Sequence, residues 1–306
     1  MHSPKIIFIV GPTAIGKSEV ACSLAKRIDG EIVSCDSMQV YKELRVVTSK
    51  PAAAMLKAVV HHLVGCIPVR EEFDVARFNT LALKAIRVIH ARHHVPIIVG
   101  GSGLYMQILL DGIFPGTPKN EAIREELKKQ AGRHGNEYLY KKLQKVDPPA
   151  ALNIHPNDVR RIIRALEVYK TRREPISSLR KKRRGLWGKY DIKAFALTMD
   201  RDILYRRINQ RVDDMFAHGA VKEIEHLRDV PLSPTAQRLI GLREIRGFLD
   251  GSYDETHARE LMKLNTRRFA KRQLTWFRKE KRLEWITVQE NDTVEDITDK
   301  LMAGIE

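Results

Sequence analysis

Cysteine is scarce in this chain, with three in 306 residues, at positions 22, 35 and 66. Three thiols so widely spaced supply neither a disulfide framework nor the paired spacing of a zinc site, and no cysteine beyond Cys66 is there to hold a structural metal. Long apolar runs are missing too. Nothing approaches the roughly 18 consecutive apolar residues of a membrane span, and residues 6–10 are too few for the centre of a signal peptide. A cytoplasmic protein with reduced thiols and no membrane partner is expected. Acid is the third shortage: 38 Asp+Glu stand against 54 Lys+Arg, a formal charge of +16. Such an excess sets up a field that attracts polyanions, nucleic acid first among them. With 43% hydrophobic residues, the length suffices for a full core and one smaller appended domain. No exposed heptad or strand signal asks for a second copy, so a monomer is expected.

The first third alternates short apolar runs with helical stretches. KIIFIVG reads as a buried strand, SEVACSLAKRI as an amphipathic helix and EIVSC as a second strand. A helix over 78–92 and the strand VPIIVGG follow. This alternation predicts an α/β fold, a parallel sheet with helices on both faces, whose ligands gather at the C-terminal ends of the strands. FPGTPKN then punctuates the chain, and helices are predicted over 121–134, 137–146 and 158–172 without intervening strands. IKAFALT at 192–198 returns to strand, helices resume at Asp202, and LEWITV at 283–288 is a last strand. The predicted division is a P-loop core of residues 1–117 and 191–306 around an all-helical insertion of 118–190. RKKRR at 180–184 is expected to be a basic loop.

GPTAIGKS, residues 11–18, follows a strand and opens a helix, the context that makes G-x-x-x-x-G-K-S specific for phosphate. Its glycines turn the backbone so that the amides of Gly11, Pro12, Thr13, Ala14, Ile15 and Gly16 form a cradle, less the one that proline lacks. The helix N-terminus adds partial positive charge and Lys17 a full one. Ser18 is placed to ligate Mg²⁺. An ATPase or GTPase would need a metal-ligating Asp at the end of a later strand, yet VPIIVGG ends in GGSGLY. The carboxylate comes earlier, as Asp36 in SCDSMQVY. Asp36 is either a cap for the amides after it or a reactive group; Ser102, between two glycines, is either a turn residue or a substrate contact.

Read together, GPTAIGKS, DSMQVY, GGSGLY, HPNDVRRIIRALEVY and NTRRFAKRQLTWFRK resemble the tRNA isopentenyltransferase (tRNA dimethylallyltransferase) family of bacterial type. The blocks run in order from residue 11 to about 279. The resemblance implies that the P-loop holds the diphosphate of dimethylallyl diphosphate and that the acceptor is the exocyclic N6 of adenosine 37, immediately 3′ of the anticodon in tRNA. It implies Asp36 as the base, Lys17, Mg²⁺ on Ser18 and a distant arginine on the leaving diphosphate, and Thr13 and Ser102 at the substrate. The arginine is Arg211, or Arg207 one turn earlier. Where the family mostly has Thr, this chain has Ser102, which keeps the hydroxyl and loses a methyl.

The resemblance also implies a tRNA surface of Asp36, Ser37, Met38, Gln39 and Ser102 at the acceptor, Arg124, Val159, Arg160, Arg161, Ile162 and Ile163 in the insertion that clasps the anticodon stem-loop, and Arg238, Arg243, Lys271, Arg272, Gln273 and Arg278 near the C-terminus. Basic residues crowd between 267 and 282, with Glu280 as the one acid. Trp276 and Phe277 among them read as core residues, with base stacking as the alternative. A basic P-loop kinase is the rival reading, but a small-molecule kinase has no use for such a cluster.

Overall fold

The computed structural model describes residues 5–114 and 120–305. Strand β1 (Lys5–Val10) leads through the P-loop to helix α1 (Lys17–Arg27), followed by β2 (Gly30–Ser34), α2 (Ala53–Ala58), β3 (His61–His62), α3 (Val75–Ala91), β4 (Val95–Gly100) and α4 (Gly103–Asp111). Then come α5 (Glu121–His134), α6 (Asn136–Val146), α7 (Pro148–Ala151), α8 (Val159–Arg172) and α9 (Ile176–Lys181). The chain continues through β5 (Asp191–Thr198), α10 (Arg201–Ala217), α11 (Ala220–Glu225), α12 (Leu242–Leu249), α13 (Glu255–Phe277), β6 (Glu284–Thr287) and α14 (Val294–Ile305). No helix among the described residues is long and apolar enough to cross a membrane.

The six strands form one sheet in the order β3-β2-β4-β1-β5-β6, all pairs parallel. Aliphatic side chains on both faces explain this. Ile7 and Ile9 pack with Val20 and Leu24 of α1 and Leu301 of α14, while Ile6, Phe8 and Val10, pointing the other way, are as fully buried. A strand buried on both faces is the parallel-sheet pattern. The chain goes from β1 to β2 on one side of the sheet and from β4 to β5 on the other. The loops after the neighbouring strands β1 and β4 therefore diverge, and a crevice opens between them.

The chain divides into two compact units, residues up to Leu109 with those from Trp187 on, and Leu110–Leu186 between them. The sequence placed the division at 117/118, outside the described residues, and at 190/191. A physical reason for the displaced boundary lies in two glycines: a Cβ on Gly112 would overlap the backbone of Arg184, and one on Gly185 the carbonyl of Leu110. The ends of the second unit are thus joined backbone to backbone. Its core is its own, built from Leu127, Leu139, Leu143, Ile154, Ile162, Leu166 and Ile176. Of the basic run at 180–184, expected as a loop, Arg180 and Lys181 end α9, and Arg183 pairs with Asp111 at 3.7 Å. The start of α3 is Val75, ahead of the expected 78, because Asp74 caps it by accepting from the Arg77 amide at 2.9 Å.

Candidate active site

A cavity of about 480 Å³ opens in the first unit where β1, β2 and β4 end. Its wall brings together eleven residues singled out in the sequence: Thr13, Lys17, Asp36, Ser37, Met38, Gln39, Ser102, Arg211, Arg238, Arg272 and Gln273. Asp36 is the only carboxylate among the described lining residues, against the four cations Lys17, Arg211, Arg238 and Arg272. An anion is what this wall leaves room for.

The P-loop is held open by backbone geometry. Gly16 has φ +93, with nothing near a would-be Cβ, so glycine is required there for conformation and not for space. Ala14 adopts φ 65, a left-handed conformation that a side chain makes unfavourable. Ile15 turns its side chain into the core, leaving only its backbone for a ligand. Lys17 Nζ donates to the Pro12 carbonyl at 2.6 Å. Burial and the neighbouring Arg211 charge lower its pKa to about 8, against the opposing pull of Asp36 and Glu19. An anion beside Lys17 would relieve both effects.

After β2, Asp36 Oδ1 accepts from the amides of Met38 at 2.8 Å and Gln39 at 3.2 Å. The capping role is therefore real, but it occupies one oxygen. Oδ2 has no hydrogen bond among the described residues, so the other half of the carboxylate is free for a ligand. Gln39, expected at the tRNA, commits its side chain internally: it donates to the carbonyls of Thr48 and Ser49 and accepts from Ser34. Ser49 in turn accepts from Arg211 Nε at 2.8 Å. Only the terminal nitrogens of Arg211 are then left for the cavity, and burial lowers its pKa. Arg207 lies one turn earlier on α10 and points elsewhere, its guanidinium 3.5 Å from the Glu290 carbonyl and exposed. Of the two arginines offered by the sequence, Arg211 is the one that lines the cavity.

The loop after β4 fits against two partners. Its Ser102 amide donates to the Cys35 carbonyl at 3.3 Å, which joins the ends of β2 and β4, and the Ser102 hydroxyl has no partner among the described residues. On the other side stands α13. A Cβ on Gly101 would overlap the Gln273 amide, and one on Gly103 the Trp276 ring. Gln273 is buried; its Oε1 accepts from the Thr13 amide at 2.9 Å and its Nε2 donates to the Gly101 carbonyl at 3.0 Å. Each end of this amide, expected at the tRNA, thus has a backbone partner inside the wall. Trp276, read in the sequence as core, lines the cavity, whereas Phe277 is fully buried. Consecutive helical residues point about 100° apart, so the pair divides between wall and core.

The apolar wall was missed in the sequence. Val47, Val212, Met215, Met262 and Phe269 face the cavity beside Trp276. The usable signal was spacing: Phe269, Gln273 and Trp276 stand at i, i+4 and i+7 on one helical stripe. On α10, Met215 stands at i+4 from Arg211, with Val212 at i+1 beside it.

Other predicted contacts lie outside this wall. Arg243, Lys271 and Arg278 are exposed, as a phosphate-contacting residue must be. In the second unit Arg160 and Arg161 are exposed and Val159 half-buried, but Ile162 and Ile163 belong to the core, 0% and 7% exposed, and are withdrawn as contacts. Asp158 caps α8 by accepting from the Arg161 amide at 3.2 Å. Arg124 grips Glu167, Nε to Oε1 at 2.9 Å and Nη2 to Oε2 at 3.1 Å, and Arg164 joins it at 2.8 Å. Burial pushes the Glu167 carboxyl up, but those arginines and the Asn120 amide outweigh it and hold the group below the usual range. Arg124 is a brace inside its unit, a structural duty that the sequence reading did not give it.

Comparison with known proteins agrees with this geometry. The family model described as "IPP transferase" matches residues 39–280. The tRNA dimethylallyltransferase of Natranaerobius thermophilus is 42% identical over 307 residues, covering 99% of this chain and 92% of its own. That of Geobacillus thermodenitrificans is 44% identical over 284 residues, covering 92% and 90%. Among solved structures, the full-length tRNA isopentenylpyrophosphate transferase of Bacillus halodurans superimposes with a TM-score of 0.71 at 38% identity, over 98% of this chain and 96% of that one. A eukaryotic dimethylallyltransferase solved while acting on tRNA gives 0.83 at 29% identity, over 98% and 78%. A strand order that opens its crevice at the P-loop, a cavity with one carboxylate and an apolar wall, and near full-length likeness converge: the chain belongs to the IPP transferase family.

Proposed function

We propose that the chain transfers a dimethylallyl group from dimethylallyl diphosphate to tRNA, at N6 of the adenosine immediately 3′ of the anticodon, releasing diphosphate. The observation that carries this reading is the mixed lining of one cavity: cations at the P-loop end, a half-free carboxylate, and an apolar wall of Val212, Met215, Met262 and Phe269. A five-carbon chain with a diphosphate head has the matching polarity.

The adenine amino group is a weak nucleophile because its lone pair is delocalised into the ring. A base that takes its proton as the C–N bond forms lowers that barrier. Asp36 Oδ2 is that base, with Oδ1 held by two amides so that the carboxylate does not turn away. As the allylic carbon–oxygen bond breaks, charge collects on the diphosphate, where Lys17, the terminal nitrogens of Arg211 and the remaining P-loop amides meet it. Ser102 and Thr13 offer hydroxyls to the substrates. The anticodon stem-loop is gripped by exposed cations, Lys271, Arg272, Arg278 and Arg243 in the first unit and Arg160 and Arg161 in the second.

The residues fit Mg²⁺ in the form in which it usually accompanies phosphates. Ser18 Oγ has no hydrogen bond among the described residues, and no cluster of three acidic, His or Cys ligands is found there, so Ser18 and the diphosphate oxygens would hold the ion between them. When bound, it would offset charge on the departing diphosphate.

The test is transfer of label from dimethylallyl diphosphate to tRNA by the purified protein with Mg²⁺. Asp36→Asn should lower kcat about 10³-fold. ATP turnover with no prenyl transfer would sink the proposal.

A further inference from the structure

We propose that Gln273 is a positioning residue that sets the distance between the two loops of the active site, and with it the grip on the diphosphate. The inference rests on the transfer reaction above and concerns a side chain that need touch neither substrate.

Gln273 sits on α13, far in sequence from both loops, yet among the described residues it is the one side chain that bonds to each. Oε1 takes the Thr13 amide of the P-loop at 2.9 Å, and Nε2 gives a proton to the Gly101 carbonyl at 3.0 Å. The orientation of the amide has no freedom: a backbone N–H can only donate and a carbonyl can only accept. Gly101 must lack a side chain because a Cβ there would occupy the place of Nε2. The side chain is 6% exposed, so no water replaces either bond without opening the wall.

Two consequences follow. Thr13 N–H points at Gln273 and not at the ligand, so this amide orients the P-loop instead of adding to the anion cradle. The glycine loop hangs from the same amide one residue before Ser102, which ties the Thr13 and Ser102 parts of the cavity lining together. Lengthening or cutting this bridge lets the loops separate while α13, anchored by fully buried Ala270 and Phe277, stays in place.

The experiment uses the full chain with Gln273→Met, which keeps length and loses both bonds, Gln273→Glu, which keeps the acceptor and sets a second oxygen against the Gly101 carbonyl, and Gly101→Ala, which displaces the amide from the opposite side. Far-UV circular dichroism and melting are recorded alongside kinetics. The expected result is a donor KM raised about tenfold or more in all three, with kcat lowered and the KM for tRNA within twofold of wild type. Inorganic diphosphate, bound without any transfer chemistry and followed by calorimetry, should weaken to the same extent. Wild-type donor KM and diphosphate affinity in Gln273→Met overturn the proposal. So do equal losses for donor and tRNA, or loss of folding in all three variants, since either assigns Gln273 to the core. A wild-type protein that binds diphosphate but transfers no prenyl group would instead remove the reaction and leave the bridge to be judged on diphosphate binding alone.

Discussion

Two pairs of cations in this molecule have opposite fates. In the second unit, Arg124 and Arg164 converge on Glu167, a fully buried carboxylate that also accepts from the Asn120 amide at 2.8 Å. In the first, Lys17 and Arg211 line one cavity with no ion pair to either among the described residues, and the Arg211 charge disfavours charge on Lys17. The first arrangement is complete and therefore structural. The second has no bonded carboxylate among the described residues, and under the proposed reaction the diphosphate supplies the negative charge. What separates a brace from a site is the missing partner, since the residue types are nearly the same.

Removing the unbalanced cation should have the larger effect. Arg211→Gln should lower kcat/KM for the donor by about 10²-fold or more, as loss of one group aimed at a departing anion does, with the melting temperature unchanged or raised. A variant that melts early with its kinetics intact would put Arg211 on the structural side. Glu167→Gln should do the reverse, costing about 2 kcal/mol of stability, because two arginines lose their charged acceptor, while donor KM stays put. The sign with pH follows from the depressed carboxyl. Its stabilisation is full above the unfolded value of about 4.3 and is lost as pH falls through the lower folded value. Acid unfolding curves of wild type and Glu167→Gln should therefore converge at low pH; parallel curves would mean that the charge on Glu167 contributes nothing. The smallest effect belongs to exposed cations. Lys271→Ala with Arg272→Ala should flatten the salt dependence of tRNA affinity by about 1.5 in log–log slope, and an unchanged slope would remove them from the phosphate contacts.

Much of the molecule was legible in the sequence because it is written in local chemistry. The P-loop, the strands buried on both faces and the early carboxylate each announce themselves within ten residues. What was not legible depends on phase and on distant packing. Ile162 and Ile163 sit beside Arg160 and Arg161 in sequence but turn into the core. Arg207 and Arg211 share a helical face, and only the Ser49 hydroxyl and the Glu290 carbonyl at their ends tell them apart. Gln273 was expected at the tRNA, because the two backbone groups that hold its side chain lie 260 and 172 residues away.

The pairing of β1 with β5 also bears on how the chain is made. Val10 lies opposite Ala196, and every residue of β1 from Lys5 on has its partner in β5. A ribosome making about 5–20 residues per second has finished β1 well before that partner exists, so one edge of an apolar strand stays open while the entire helical unit is synthesised. That unit is contiguous and has its own core, and can close first. Birth order therefore runs inside out: the appended helices mature early, and the catalytic sheet is sealed only when the chain comes back to it.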